Sequence, residues 1–479
     1  GFLALSSRVP PMWLVVFLGL LPVTSGSLER LVLVSRHGER QRLYKDQVTH
    51  AENQADEGGP RLTAKGAKEL LEVGQLLKQR YMRQGCSADL CLEGRIGEGV
   101  YVPAEVRAES SGLARTLGSA YALHEGLFPG GSVPSNGLAD PVVVPVPVYS
   151  RPKDEDFILR GYTMCASQAR SVEAWYDSEE FRERAEETTG LRSRVASALG
   201  HENITNDDGT GAPLADWWNT YDELVVQTQE GATLVNSSDM QQAEELAAWL
   251  EAMKFSKKVA GNRCGGSLLS AISDRLDPEK YPDLRLVHYS AHYATMLCLL
   301  TTLGISASAG QAKDAWLTSE LLGLSSVLAF EVSLSDGQPT IRLRYWPGTD
   351  SMTRDWRSLD LPCTTGVCTQ AQFKSLAAAQ GLPTLRAWCR ACENFELRLC
   401  SGPTAPTPEE TAAPSQWDLP ALAFVFLGVG MASFLAVGLY TFRRHLSQCF
   451  SSDEERRSMV RMEGGQGSTI GACSPAPSI

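Results

Sequence analysis

Leu31-Val32-Leu33-Val34-Ser35 runs without polar alternation into Arg36-His37-Gly38-Glu39-Arg40, and this junction constrains the fold more than any other feature of the chain. A short run that is apolar at every position is buried on both faces, which for a strand means the interior of a parallel sheet covered by helices. Open α/β sheets gather ligands at the carboxyl ends of their strands, so the histidine and its two arginines are delivered where a ligand binds. The residue types suit a phosphoryl group. Imidazole is a neutral nucleophile toward phosphorus, and guanidiniums fork onto the equatorial oxygens and neutralise their charge. Gly38 is expected to let the backbone approach the anion closely. The competing reading is a basic surface turn with a bystander histidine, but Arg-His-Gly-x-Arg fixes four residues, a match chance supplies at about one position in 160,000.

A parallel sheet needs helices between its strands, and the pattern supplies them. Residues 64–81 carry apolar positions at helical spacing, residues 99–106 read as a strand and residues 111–125 as a helix. A second strand, Leu284-Arg285-Leu286-Val287-His288-Tyr289, leads into Ser290-Ala291-His292, so His37 and His292 each follow a strand and face each other across the sheet's carboxyl edge. Residues 327–332 and 340–345 predict a hairpin around Asp336-Gly337. Residues 165–273 are helix-rich instead, with Asp177-Ser178-Glu179-Glu180-Phe181 opening one segment and residues 241–255 forming another, and they read as an inserted helical cap. No internal repeat appears at a solenoid period. The expectation is one α/β domain with a cap.

The 479 residues are 43% apolar and 21% charged, a balance that builds a sizeable globular core. Met12 precedes Trp13-Leu14-Val15-Val16-Phe17-Leu18-Gly19-Leu20-Leu21 and the small residues Thr24-Ser25-Gly26, so residues 1–26 read as upstream residues plus a secretory signal, with a buried helix as the alternative. Residues 419–442 carry no charge over 24 positions and are followed by Arg443-Arg444-His445, the signature of a membrane span with a cytosolic C-terminal side. The expected order is a lumenal domain at 27–400, a stalk at 401–417 containing Pro403, Pro406, Pro408 and Pro414, a transmembrane helix at 418–442 and a cytosolic tail at 443–479. Ten of the twelve cysteines precede the span, an even count that suggests disulfides in an exported domain. Cys86 and Cys91, and likewise Cys363 and Cys368, are close enough for local loops; the others cannot be paired from sequence. Zinc binding competes at Cys389-Arg390-Ala391-Cys392, although no second pair accompanies it at zinc-site spacing. Asn203-Ile204-Thr205 and Asn236-Ser237-Ser238 are glycosylation acceptors under this topology. A net charge of −12 argues against nucleic acid, so affinity for phosphate must come from local arginines.

The first motif resembles that of the histidine acid phosphatases, branch 2 of the histidine phosphatase superfamily. Leu62-Thr63, Gly66 and Leu76-Leu77-Lys78-Gln79-Arg80-Tyr81 resemble the family's first helix. Gly126-Leu127-Phe128-Pro129, Trp218 with Tyr221-Asp222 and Leu224, Gly265-Gly266 with Leu268-Leu269, and Leu361-Pro362-Cys363 with Cys368 follow in the family's order. The resemblance implies a phosphoglycerate-mutase-like α/β fold: a mostly parallel sheet, helices on both faces and a helical cap insertion. It also implies hydrolysis of phosphomonoesters through a phosphohistidine on His37, with no metal or other cofactor. Arg36, Arg40 and His292 then bind the phosphoryl oxygens, and Cys363 pairs with Cys368.

This chain departs from the family at three points. The second signature is Ser-Ala-His-Asp, whose aspartate protonates the leaving alcohol, but here Tyr293 follows His292. A phenol of pKa about 10 is a far weaker acid, which predicts slow cleavage of alkyl phosphates and leaves Tyr293, Glu39 and Glu109 as candidate donors. The family's third arginine lies in a run resembling Arg-Ser-Thr-Asp-x-x-Arg-Thr, and the interval from Arg107 to Arg115-Thr116 is two residues longer. Arg107, read as lying at a strand end, is the candidate clamp and Arg115 a structural helix residue; anchoring on Arg115-Thr116 instead puts Glu109 at the family's arginine. The family's proline after the first motif is replaced by Gln41-Arg42-Leu43-Tyr44. Three functions stay open: a type I membrane-anchored acid phosphatase of endosomal, lysosomal or cell-surface membranes, a catalytically weak or silent phosphate-ester-binding receptor, and a phosphatase narrowed to inositol phosphates. The expected partners are a phosphomonoester and the membrane, with no nucleic acid and with a homodimer left open.

Overall fold

In the computed structural model the apolar run becomes β1 (Leu28–Arg36), the middle strand of the main sheet. The structure describes residues 28–45, 48, 52–53, 59–87, 89–130, 145–201, 213–305, 321–335, 337–349 and 355–401. The other strands are β2 (Tyr44–Lys45), β3 (Glu52–Asn53), β4 (Val106–Ser111), β5 (Val148–Arg151), β6 (Leu286–Ala291), β7 (Val327–Ser335), β8 (Gln338–Trp346), β9 (Arg357–Leu359) and β10 (Cys368–Thr369). The helices begin with α1 (Ala64–Tyr81) and α2 (Ala114–Leu127). They continue with α3 (Ala166–Tyr176), α4 (Glu179–Glu187), α5 (Thr189–Ala198), α6 (Trp217–Gln229), α7 (Ser237–Lys254) and α8 (Gly266–Arg275). The last four are α9 (Tyr293–Thr302), α10 (Gln370–Gln380), α11 (Leu385–Ala391) and α12 (Arg398–Ser401).

The sheet runs β10-β8-β7-β1-β6-β4-β5, with β9 on β8. Its block β1-β6-β4-β5, which carries both histidine motifs, is parallel throughout. β7 and β8 extend it as an antiparallel wing. The α/β expectation holds. Along β1, Val32 and Val34 enter one core with α8, α9 and cap residues such as Val172 and Leu250, while Leu31 and Leu33 enter the other with α1 and α2. Both faces are covered, and each fully buried side chain of this size contributes about 1.5–3 kcal/mol, which is why the centre of the strand, Leu31 to Val34, is apolar at every position. Between β5 and β6 the described chain holds α3 to α8 and no strand.

One predicted strand is wrong by a strand's length. Residues 99–105 lie in turns and irregular chain, because Gly99 takes φ +81° and Pro103 supplies no ladder donor; β4 starts only at Val106. The predicted hairpin forms as β7 and β8, with Gly337 at φ +76°. All ten cysteines up to Cys400 are paired: Cys86–Cys91, Cys165–Cys392, Cys264–Cys298, Cys363–Cys368 and Cys389–Cys400. Cys389 and Cys392 therefore enter two different bridges instead of a zinc half-site. Asn236 is exposed and caps α7, its Oδ1 accepting from the Asp239 N–H at 2.9 Å. The signal, the stalk beyond Ser401, the span, the tail and Asn203 lie outside the described residues. Among the described residues no helix is long and apolar enough to cross a membrane.

Candidate active site

β1 and β6 pair in register up to Arg36 opposite Ala291, so His37 and His292 are each the next residue beyond one rung of the ladder. The His37 N–H donates to the Ala291 carbonyl at 3.1 Å, and the two buried rings face each other at 5.5 Å between centroids. His37 Nδ1 lies 2.8 Å from the Gly38 carbonyl. A carbonyl only accepts, so Nδ1 carries the proton and Nε2 keeps the lone pair a nucleophile needs. Burial, with Arg115, Arg36 and Arg40 adding to it, holds the His37 pKa well below its ordinary value, so the ring is neutral. His292 is held neutral in the same way, by burial first and then by Arg115. Its Nε2 is 2.9 Å from Ser111 Oγ at the end of β4, which fixes the ring.

Arg36, Arg40 and Arg115 line one cavity with both histidines, Lys45 and Tyr293. The cavity measures about 20 Å³, room for about one water. Arg40 forks onto Asp222 of α6, with Nη2–Oδ1 2.7 Å and Nη1–Oδ2 3.1 Å. Arg36 donates to the Leu322 carbonyl. The Nε atoms of Arg36 and Arg40 are buried without a hydrogen-bond partner. Burial, with Arg40 next, brings Arg36 down to about 10, and it stays charged.

The structure does not bring Arg107 to this cavity. Because β4 starts at Val106, Arg107 sits at the strand's amino end, stacked at 3.6 Å over Tyr149 and bonded through Nε to Glu109 at 3.0 Å. Arg115, expected to be structural, stands in the first turn of α2 beyond the carboxyl end of β4 and takes the place expected of Arg107. The candidate acids are elsewhere too. Glu109 is held by Arg107 and, at 3.2 Å, by Arg275, while Glu39 is tied to Thr63 at 2.9 Å and Lys65 at 2.7 Å beside α1. Gly38 is required by packing, since a Cβ there would lie 2.3 Å from the Gly66 carbonyl oxygen of α1.

Tyr293 opens α9 inside the cavity, but its phenol is committed: Oη donates to Glu251 and accepts from Lys45. Burial and the Glu251 carboxylate push its pKa well above the ordinary phenol value, so it is a poorer acid than a free tyrosine. Its ring stacks on Trp218 at 5.9 Å. Sequence reasoning missed Lys45, Glu251 and Lys254. The available signals were an inward alternation of Leu43 and Lys45, and charges at Glu251 and Lys254 on the face of α7 that buries Leu246, Ala247 and Leu250.

Two neutral histidines thus stand at neighbouring parallel strand ends in a cavity lined by three arginines. Residues 44–345 match the profile of the histidine phosphatase superfamily (branch 2), and the chain belongs to that family. The expectation of an acid phosphatase enzyme stands with it. Testicular acid phosphatase of Homo sapiens is 31% identical over 62% of this chain and 68% of its own length. Its counterpart in Mus musculus is 28% identical over 89% and 95%. Lysosomal acid phosphatase of Rattus norvegicus is 27% identical over 59% and 64%. Among solved structures, the phytase of Citrobacter braakii superposes with a TM-score of 0.54 at 15% identity, over 76% of this chain and 99% of the phytase, a likeness of fold.

Proposed function

We propose that the protein hydrolyses phosphomonoesters in two steps through a phosphohistidine on His37 Nε2. The observation that carries this is the His37 ring itself, neutral, fixed by its Nδ1–H bond to Gly38 and set in a cavity with His292 and three arginines. In the first step Nε2 attacks phosphorus while Arg36, Arg40, Arg115 and His292 hold the equatorial oxygens, where negative charge is stabilised as the P–O bond breaks. In the second step water displaces the imidazole and releases inorganic phosphate. The silent-receptor alternative is not supported by the relatives, which are named acid phosphatases.

The domain is proposed to be lumenal or extracellular and held by one C-terminal span in a lysosomal, endosomal or cell-surface membrane. Five disulfides fit an oxidising compartment, the uncharged run at 419–442 fits the anchor, and exposed Asn236 fits a glycan, since a glycosylated amide keeps the Oδ1 that caps α7. Relatives named lysosomal acid phosphatase support the compartment. The test is rapid alkaline quenching of the detergent-solubilised full chain turning over a ³²P-labelled aryl phosphate. Label on His37, lost in His37→Ala, is expected. A folded wild type that neither turns over nor traps label sinks the reading.

A further inference from the structure

The family's acid is absent, so the leaving alcohol needs another proton donor. Glu39 and Glu109 are tied up elsewhere, and Tyr293 has given its hydrogen to Glu251. The arginines of the cavity do not release protons in a protein. His292 is neutral and hydrogen-bonded to Ser111, and His37 is the nucleophile.

Resting on the reading above, we propose that Lys45 protonates the leaving alcohol, with Tyr293 and Glu251 acting as its anchor. Lys45 lines the cavity that holds both histidines. Its backbone is clamped by Asn219 of α6, whose Oδ1 accepts the Lys45 N–H at 3.0 Å and whose Nδ2 donates to the Lys45 carbonyl at 2.8 Å. Its Nζ donates to Glu251 Oε2 at 2.7 Å and to Tyr293 Oη, and lies 3.7 Å from the centroid of the Trp218 ring. An ammonium has three hydrogens, and these two bonds leave one not spent on an oxygen of the protein.

The step balances. As the His37 Nε2–P bond forms, the electrons of the ester P–O bond pass to the leaving oxygen, which takes a proton from Lys45 and departs as the alcohol. Lys45 is then a neutral amine. It takes a proton from the attacking water as the new O–P bond forms and the P–N bond breaks, and the ammonium is restored for the next cycle.

The surroundings suit this exchange. Lys45 faces Arg36 and Arg40 from the end of β1, Asp222 from α6, Glu251 and Lys254 from α7, His292 and Tyr293 at the start of α9, and Tyr162 before α3. Burial, opposed by Glu251 and reinforced by Lys254, brings its pKa from 10.5 to about 7. Below that pH the ammonium is present to donate, and His37, titrating far lower, is still neutral. Above it the donor is lost, so cleavage of alkyl esters falls as pH rises through about 7.

The test compares p-nitrophenyl phosphate, whose phenolate leaves without a proton, with glycerol phosphate, whose alkoxide does not. It uses the full chain as wild type, Lys45→Met and Lys45→Arg. Both variants are expected to lose about 10²–10⁴-fold in kcat/KM on glycerol phosphate and less than about tenfold on the aryl ester. Arginine keeps the charge without the transferable proton, so recovery of the alkyl rate in Lys45→Arg overturns the proposal, as does equal loss on both esters. Should Lys45→Met fail to fold, the wild-type profile decides. A tenfold fall per pH unit above about 7, seen on glycerol phosphate alone, is expected, and equal profiles on the two esters overturn the assignment. A wild type that never labels His37 removes the parent reading; one that labels it, with leaving-group dependence unchanged in Lys45→Met, removes this one alone.

Discussion

The ends of β1 and β6 supply two halves of one cavity, and they differ in where their chemistry comes from. The β1 half is local: Arg36, His37 and Arg40 stand within five consecutive residues, and ladder hydrogen bonds aim them. The β6 half keeps His292 but replaces the acid with Tyr293, whose phenol is held by Lys45 of β2 and Glu251 of α7, with Lys254 on the same carboxylate. The comparison teaches that strand register alone places Arg36, His37 and His292, because each lies at or one residue beyond the last rung of the β1–β6 ladder. A proton donor has only to reach the leaving oxygen, so a long side chain from β2 can replace one at the strand end.

The largest effect is expected at the β1 half. His37→Ala should lower kcat on an aryl phosphate by about 10⁴-fold or more, with an unchanged melting transition, and a variant that stays active breaks the comparison outright. Arg115→Ala should cost about 10²–10³ in kcat/KM, the loss typical of one donor removed from a developing anion. A wild-type rate there would leave the clamp without its third arginine.

Glu251→Gln tests the other half. It leaves two buried ammoniums, Lys45 and Lys254, facing each other, and breaking such a network should destabilise the fold by about 3–5 kcal/mol. Because Glu251 raises the Lys45 pKa, its loss should also move the alkaline limb of glycerol phosphate hydrolysis to lower pH. A limb that stays in place separates Glu251 from the donor. The smallest effect belongs to Arg107→Ala, expected within about threefold of wild-type kcat/KM because the side chain does not line the cavity and Glu109 keeps Arg275 as a partner. A loss there as large as that in Arg115→Ala would invert the register on which the site rests.

Much of the fold could be read before any coordinates. The helix at Ala64–Tyr81 forms at the predicted residues, with Thr63 Oγ1 capping the Gly66 N–H at 3.0 Å, because its apolar spacing and its cap agree. The strand called for at 99–106 failed because its alternation was only that of a turn segment, and one glycine at positive φ outweighs it. That slip carried Arg107 to the wrong end of β4 and with it the wrong arginine into the site.

By itself the sequence determined the α/β class and the meeting of Arg36, His37 and Arg40 at one strand end, since an apolar run ending in a charged motif admits few other folds. It also determined two of the five disulfides, those closed by short loops. Only the tertiary structure decided that Arg115 replaces Arg107, that Tyr293 is tied to Glu251, and that Lys45 shares a cavity with residues almost 250 positions away. The physical reason is range. Periodicity and capping report on neighbours within a few residues, whereas the low dielectric that binds an ammonium, a carboxylate and a phenol together exists only after distant segments have packed and expelled water.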